Sequence, residues 1–288
     1  MKTTSSILFL FLCFQFSFSQ KLLTSWSQQN IENYTKEMYD EAQNLSSAEL
    51  VEKNVNDEYW SEVFLTLNAS LNHHAKDIDF LHALTEQITD KTQTNLKGSS
   101  RLIIWDRISS GDLTFEGKGI VFENDLFTVA GRANQLLQSL TNKNFGFITI
   151  ETSQEELESI KNKWQAHLAG KPVDEFQPVK FQNSKIPEIS SLAAIKALVI
   201  SLQENPIKNQ LTKKCLHDLY NLEELPKEKG SSASYCNPDT YTYAYLGMVF
   251  GHKKADDDKN ATWWLNFWNE NQNKLIWNSS AGIYEIKK

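Results

Sequence analysis

The sequence lacks the signatures that announce the common enzyme classes. It has no G-x-S-x-G elbow, no H-E-x-x-H, no G-x-G-x-x-G and no paired C-x-x-C. Elbow-type hydrolases, zincins, Rossmann dinucleotide binders and paired-cysteine metal sites are therefore disfavoured. Gly111 to Lys118 comes near a phosphate-binding loop but has one residue too many, and Gly119 stands where Ser or Thr is required. There is no basic block: 29 Lys and Arg face 36 Asp and Glu, a net charge of −7. That balance argues against nucleic acid and anionic membrane surfaces as partners. No internal repeat or low-complexity tract interrupts the chain, and no run beyond the N-terminus has membrane-spanning length.

Cysteine is scarce, with three in 288 residues. Cys13 lies in the N-terminal apolar run, where the large residues Leu10, Phe11 and Leu12 before it disfavour a lipidation signal. The remaining pair, Cys215 and Cys236, reads as a disulfide in an oxidising compartment. A nucleophilic Cys215 backed by His217 and Asp218 matches no known spacing, because working pairs are usually assembled from distant segments.

What is present begins with Lys2, the apolar run Ile7 to Phe14 and the small residues around Ser17 to Ser19. This is the pattern of a secretory signal peptide over residues 1–19, so the expected location is secreted or periplasmic. The stretch Arg101 to Glu151 concentrates the strand-like sequence. Leu102 to Arg107 is apolar on both faces, as a covered strand would be. Leu113 and Phe115 alternate with Thr114 and Glu116. Gly117-Lys118-Gly119 breaks the run, and Ile120–Phe122 and Leu126–Val129 flank the hairpin-compatible Glu123-Asn124-Asp125. Helical spacing then predicts Arg132–Leu140 as a helix, and Phe147–Ile150 as another strand.

On either side the spacing is helical. Ile31 to Leu45 forms one apolar stripe. Ser46 with Glu49 is a capping box, Trp60 to Leu71 a strong stripe, and His74 to Leu96 a third helix. Ser153 with Glu156 opens a helix through Leu157, Ile160, Trp164 and Leu168, stopped at Gly170. Further helices are predicted over Leu192–Leu202, over Ile207, Leu211, Cys215, Leu219 and Leu222, from Asn237-Pro238 to Gly251, and from Asn260. Leu275–Trp277 and Ile283–Ile286 look like a closing hairpin. The fold class is α+β and helix-rich: a central antiparallel β-meander plus a strand–helix–strand unit, flanked by N- and C-terminal helices. The expected parts are 20–98 helical, 99–170 central and β-rich, and 171–288 helical, with 20–288 as one compact domain the alternative.

Candidate sites follow from side-chain chemistry. His73, His74, Asp77, Asp79 and His82 are dense in metal ligands, but one helix cannot aim them all at one ion. Asp256, Asp258 and Asn260 open like a calcium loop, yet Ala261 and Phe267 occupy the glycine and bidentate positions. No metal or cofactor is implied. In the central stretch Asp106, Arg107, Glu116 and Arg132 are the polar residues suited to acid–base work or to holding an anion. Among the C-terminal aromatics, Tyr243 and Trp263 are candidate contacts for a partner or a sugar. Trp264 and Trp268, one turn apart, suit a core, with Trp263 and Phe267 as a second pair beside them. The leading expectation is an exported binding protein without catalysis, whose partner is another protein or a glycan. A hydrolase using carboxylates of the central stretch and a carbohydrate-binding protein are the alternatives.

Overall fold

The computed structural model describes residues 35–96, 102–176, 192–227, 230–251, 259–278 and 280–287. The expected signal peptide, residues 177–191 of the expected linker and Asp256 to Asp258 lie outside the described residues. In chain order the elements are α1 (Lys36–Ala42), α2 (Ser47–Asn56), α3 (Trp60–His73), α4 (Ile78–Glu86), β1 (Leu102–Ile103), α5 (Trp105–Ser110), β2 (Ile120–Val121), α6 (Val129–Thr141) and α7 (Gln154–Leu168). They continue with α8 (Leu192–Ser201), α9 (Pro206–Tyr220), a 3-10 turn (Ser232–Cys236), α10 (Pro238–Val249), α11 (Ala261–Asn271), β3 (Leu275–Asn278) and β4 (Ile283–Ile286). The described protein is helix-rich with two small two-stranded sheets. None of its described helices is long and apolar enough to cross a membrane.

The chain divides into two compact units. The first is drawn from Met1–Ser100, Phe127–Phe145 and Gln154–Val173, and the second from Arg101–Leu126, Gly146–Ser153 and Asp174–Lys288. The central stretch is thus shared between them.

In the first unit Ser46 and Glu49 close the capping box at the start of α2. Every residue of α3 from Trp60 to Ser70 except Glu62 is buried, so this helix is covered on nearly all sides. The third predicted helix, His74 to Leu96, is corrected. The chain breaks after α3, Asp77 Oδ1 accepts the Phe80 N–H at 3.1 Å, and α4 starts there. A short acidic side chain competes for backbone donors and so favours a cap over a helix interior. Beyond Thr89 the backbone is extended: Gln93 bridges Thr128 antiparallel, and Thr94 N–H donates to Phe127 C=O at 2.9 Å. Leu157, Ile160 and Trp164 form the buried face of α7. The Trp164 indole N–H donates to Asn134 Oδ1 at 2.9 Å, both residues being fully buried. Phe145 meets the Trp164 ring edge-on at 4.6 Å between centroids. The indole thus gains apolar burial without stranding its donor.

The second unit corrects the central meander. The strand read over Leu102 to Arg107 is only Leu102–Ile103, and from Trp105 the chain is helical until Gly111. A short run that is apolar on every side has no periodicity to separate strand from helix. Here Trp105 and Ile108, one turn apart, are both buried. β1 and β2 pair in parallel, Leu102 opposite Ile120 and Ile103 opposite Val121. The segment read as a strand over Leu126–Val129 runs instead into the first turn of α6, where Thr128 Oγ1 caps the Gly131 N–H. The expected strand Phe147–Ile150 is not formed: Ile150 already belongs to a turn, and the Ile148 carbonyl accepts the Asp125 N–H at 2.7 Å. The almost wholly apolar α8 packs against α5, α10 and α11 and buries Ala194, Ile195, Ala197, Leu198 and Val199. The C-terminal hairpin is present, with Leu275 opposite Ile286 and Trp277 opposite Tyr284.

Candidate functional site

The sequence of α9 gives a surface where it promises a core. Asn205 caps it, its Oδ1 accepting the Ile207 N–H at 2.8 Å, and Pro206 holds the first helical position. At the other end Asn221, in the left-handed region at φ 53°, stops it. Within the helix only Lys208 and Leu216 are buried. Of the stripe Ile207, Leu211, Cys215, Leu219 and Leu222, the middle residues Leu211 and Cys215 are half-buried, while Ile207 is 57% and Leu219 60% exposed. A helix normally turns such a stripe to the core, so an uncovered one is a surface in want of a partner.

A buried lysine and a disulfide hold α9 in place. Lys208 Nζ donates to the Ser201 carbonyl at 2.8 Å and to Asp239 Oδ1 at 2.9 Å. Cys215 is disulfide-bonded to Cys236, with Cα atoms 5.6 Å apart. Leu216, Ala233 and Cys236 form a small buried cluster of their own, with Cys215 and Tyr220 against it.

A groove of about 240 Å³ runs beside the stripe. Leu211, Cys215 and Leu219 make one wall, with Lys214 and Asp218 on its rim; Tyr235 and Pro238, with Glu116 and Lys118, make the other. The second wall depends on Gly117. Its φ is +80°, and a Cβ there would lie 2.7 Å from Tyr241 Cδ2 and 3.0 Å from Pro238 Cα. Only glycine lets this turn lie so close to the start of α10. The turn carries the Lys118 ammonium directly over the Tyr235 ring and within 5.3 Å of the Tyr241 centroid. Burial, reinforced by the neighbouring Tyr235 and Tyr245, pushes the Tyr241 hydroxyl above its ordinary value. The groove is smaller than the roughly 300–1,000 Å³ of small-molecule pockets. It suits a row of side chains better than an enclosed metabolite.

Six residues are candidates for a binding site: Asp106, Arg107, Glu116, Arg132, Tyr243 and Trp263. Of the six, Glu116 alone lines the groove. Asp106 and Arg107 lie on α5. Burial pushes the Asp106 carboxyl upward, Glu151 and Asp125 add to that, and a hydrogen bond from Thr149 opposes it. Arg107 is committed to Asp125 and Asp112. Arg132 belongs to the first unit and is buried. Its guanidinium donates to the carbonyls of Asn54 at 3.0 Å and Asp57 at 3.2 Å, and to Thr94 Oγ1 at 3.0 Å. It satisfies the end of α2; burial pulls its pKa down to about 10. Tyr243 is half-buried on α10, its hydroxyl pushed up by burial and then by Asp239. Trp264 and Trp268 are buried, whereas Trp263 is 38% exposed. Trp263 stacks on Phe267, and Lys259 Nζ lies 4.5 Å from its ring centroid.

Sequence reasoning missed Lys118, Lys214, Asp218 and Tyr235 as groove residues, although the α9 stripe itself was legible. The histidine-rich segment is dispersed: His73 Nε2 lies 3.0 Å from Gln43 Oε1, and His74 Nε2 3.1 Å from the Leu45 carbonyl. Among the described residues no group of three His, Cys, Asp or Glu converges as metal ligands. Comparison of the chain with protein-family models, with curated proteins and with solved structures finds no match.

Proposed function

We propose that this chain is an exported binding protein without catalysis, and that its binding surface is the groove and outward face of α9. One observation carries the reading: the apolar stripe leaves Ile207 57% and Leu219 60% exposed on either side of the half-buried, disulfide-bonded Cys215. The partner is a protein segment, because a shallow apolar row with charged rims matches side chains of another polypeptide. Export rests on the N-terminal pattern and agrees with the cysteine pairing. The test is recovery of partners from the native extracellular fraction with wild type and with Leu219→Asp. A partner retained by wild type and lost by the variant supports the reading, and equal recovery by both overturns it.

A hydrolase reading draws on one feature, the upward-shifted Asp106 carboxyl near Glu151, the environment of a general acid. Turnover of an extracellular polymer that Asp106→Asn abolishes would put it first. The glycan reading is weaker, because the Trp263 ring is already engaged by Phe267 and Lys259.

A further inference from the structure

The groove beside α9 already holds a cation, and that cation belongs to the chain itself. The Lys118 ammonium lies over the Tyr235 ring and within 5.3 Å of the Tyr241 centroid. The negative faces of two phenol rings attract a positive charge whatever molecule carries it. Host and guest differ in how firmly they are held. Tyr241 sits on α10 with its ring edge against Gly117, and Tyr235 adjoins Cys236, which is bonded to Cys215. Lys118 stands half-buried between Gly117 and Gly119, and its ammonium rides on a flexible four-carbon stem. Rotation of that stem takes the charge off the rings while the turn stays in place.

Charge at the groove favours a replacement of the same sign. Its lining carries two carboxylates, Glu116 and Asp218, and two ammonium groups, Lys118 and Lys214. Asp218 is paired with Lys214 along α9. With Lys118 swung into solvent, the lining is left with one surplus negative charge beside the vacated rings. A single incoming cation restores both the balance and the ring contact. Leu211, Leu219 and Pro238 line the same groove and suit aliphatic carbon on either side of that charge, which an inorganic ion lacks.

We infer that the polypeptide bound at this groove presents a lysine or arginine side chain, flanked by aliphatic residues, which takes the place of Lys118 over Tyr235 and Tyr241. The inference rests on the reading of the groove as a protein-binding surface and names the chemistry of its partner. Guanidinium is the better guest, because it is planar, weakly hydrated and stacks on aromatic rings. Lys118 is then an internal competitor that covers the rings until a partner arrives. Removing it raises affinity by about two- to fivefold, the worth of one exposed cation–ring contact.

The test is a ligand-observed nuclear magnetic resonance titration of the full chain with two short peptides. One is acetyl-leucyl-arginyl-leucine amide; the other is its citrulline counterpart, which keeps the shape and loses the charge. The proteins are wild type, Lys118→Ala, Tyr235→Leu, Leu219→Asp and Lys213→Ala, with circular dichroism to check each fold. Wild type is expected to prefer the arginyl peptide by about two- to fivefold. Lys118→Ala binds that peptide more tightly still, by a similar factor. Lys213→Ala, which removes an equal charge elsewhere on α9, behaves as wild type, and Tyr235→Leu erases the preference for arginine. Equal binding of the two peptides by Lys118→Ala, or binding of neither, overturns the inference, as does an equal gain from Lys213→Ala. Tetramethylammonium chloride is the last arm: binding as tight as that of the arginyl peptide would make the guest a free methylated amine and overturn the polypeptide. If charge makes no difference but Leu219→Asp loses both peptides, the groove reading stands and the cation alone fails.

Discussion

Arg107 grips Asp125 with two prongs, Nε 3.0 Å from Oδ1 and Nη2 2.7 Å from Oδ2, around a carboxylate with no solvent exposure. The remaining nitrogen, Nη1, reaches the half-exposed Asp112 at 2.9 Å. The pair ties α5 to the segment that precedes Leu126, and Asp125 is also bonded through its backbone to Ile148. The arginine that sequence chemistry marks as a ligand site therefore acts as a strut.

Removing the guanidinium strands a buried charge, whereas removing the half-exposed Asp112 leaves Arg107 still paired with Asp125. Arg107→Met is expected to destabilise by about 3–5 kcal/mol, and Asp112→Asn by less than about 1 kcal/mol. Urea midpoints of the two variants should differ accordingly; equal midpoints would show the fork to be dispensable.

Two glycines separate strain from space. Gly111 and Gly117 both have positive φ, but a Cβ at Gly111 would meet nothing within 4 Å. Gly111→Ala is expected to cost about 1–2 kcal/mol for conformation alone. Gly117→Ala adds collision with the Pro238 backbone and is expected to cost at least about 1 kcal/mol more. It should also displace Lys118 from Tyr235, visible as a change in near-ultraviolet dichroism that Gly111→Ala does not produce.

The cysteines are 21 residues apart, and closing such a loop stabilises by about 3 kcal/mol in the chain-entropy picture. The cluster it staples contains only three buried residues, too few to hold the 3-10 turn firmly by packing. The Cys215→Ser, Cys236→Ser double variant is expected to lose about that much stability. Amide exchange should accelerate first over residues 230–237 and the second half of α9. Uniform acceleration across the second unit would contradict the local role.

Asp106 supplies a pH dependence with a definite sign. Its folded pKa lies above the unfolded value of about 3.9, so the folded state holds the proton more tightly. Its contribution is most favourable below the unfolded value and declines as pH rises through that value to the folded one, then levels. Asp106→Asn mimics the protonated form. Its stability relative to wild type should therefore increase across that interval and plateau above it. A difference independent of pH, measured by urea unfolding at a series of pH values, would refute the shift.

Much of the helical architecture was legible because helix ends are local chemistry. Ser46 with Glu49, Asn237 before Pro238 and Asn260 each act within a few residues, and each caps a helix. One-turn spacing grouped Trp264 with Trp268 and Trp263 with Phe267, and the structure buries the first pair. The middle of the chain was not legible, because Leu102 to Trp105 is apolar on every side and strand and helix bury it equally well. The groove was half legible. Periodicity identified the apolar side of α9, but whether another element covers that side depends on tertiary packing, which the local pattern does not contain. Lys118 and Tyr235 meet only because the Gly117 turn lies against the start of α10, a pairing more than 100 residues apart in sequence.

Lys208 at one end and the half-buried Cys215 near the middle anchor α9, which leaves exposed positions such as Ile207 and Leu219 without architectural duties. Substitutions there should be tolerated by the scaffold whatever they do to recognition. That makes this helix the natural place to attach a fluorophore, to graft a foreign epitope, or to expect rapid drift among descendants of a common ancestor.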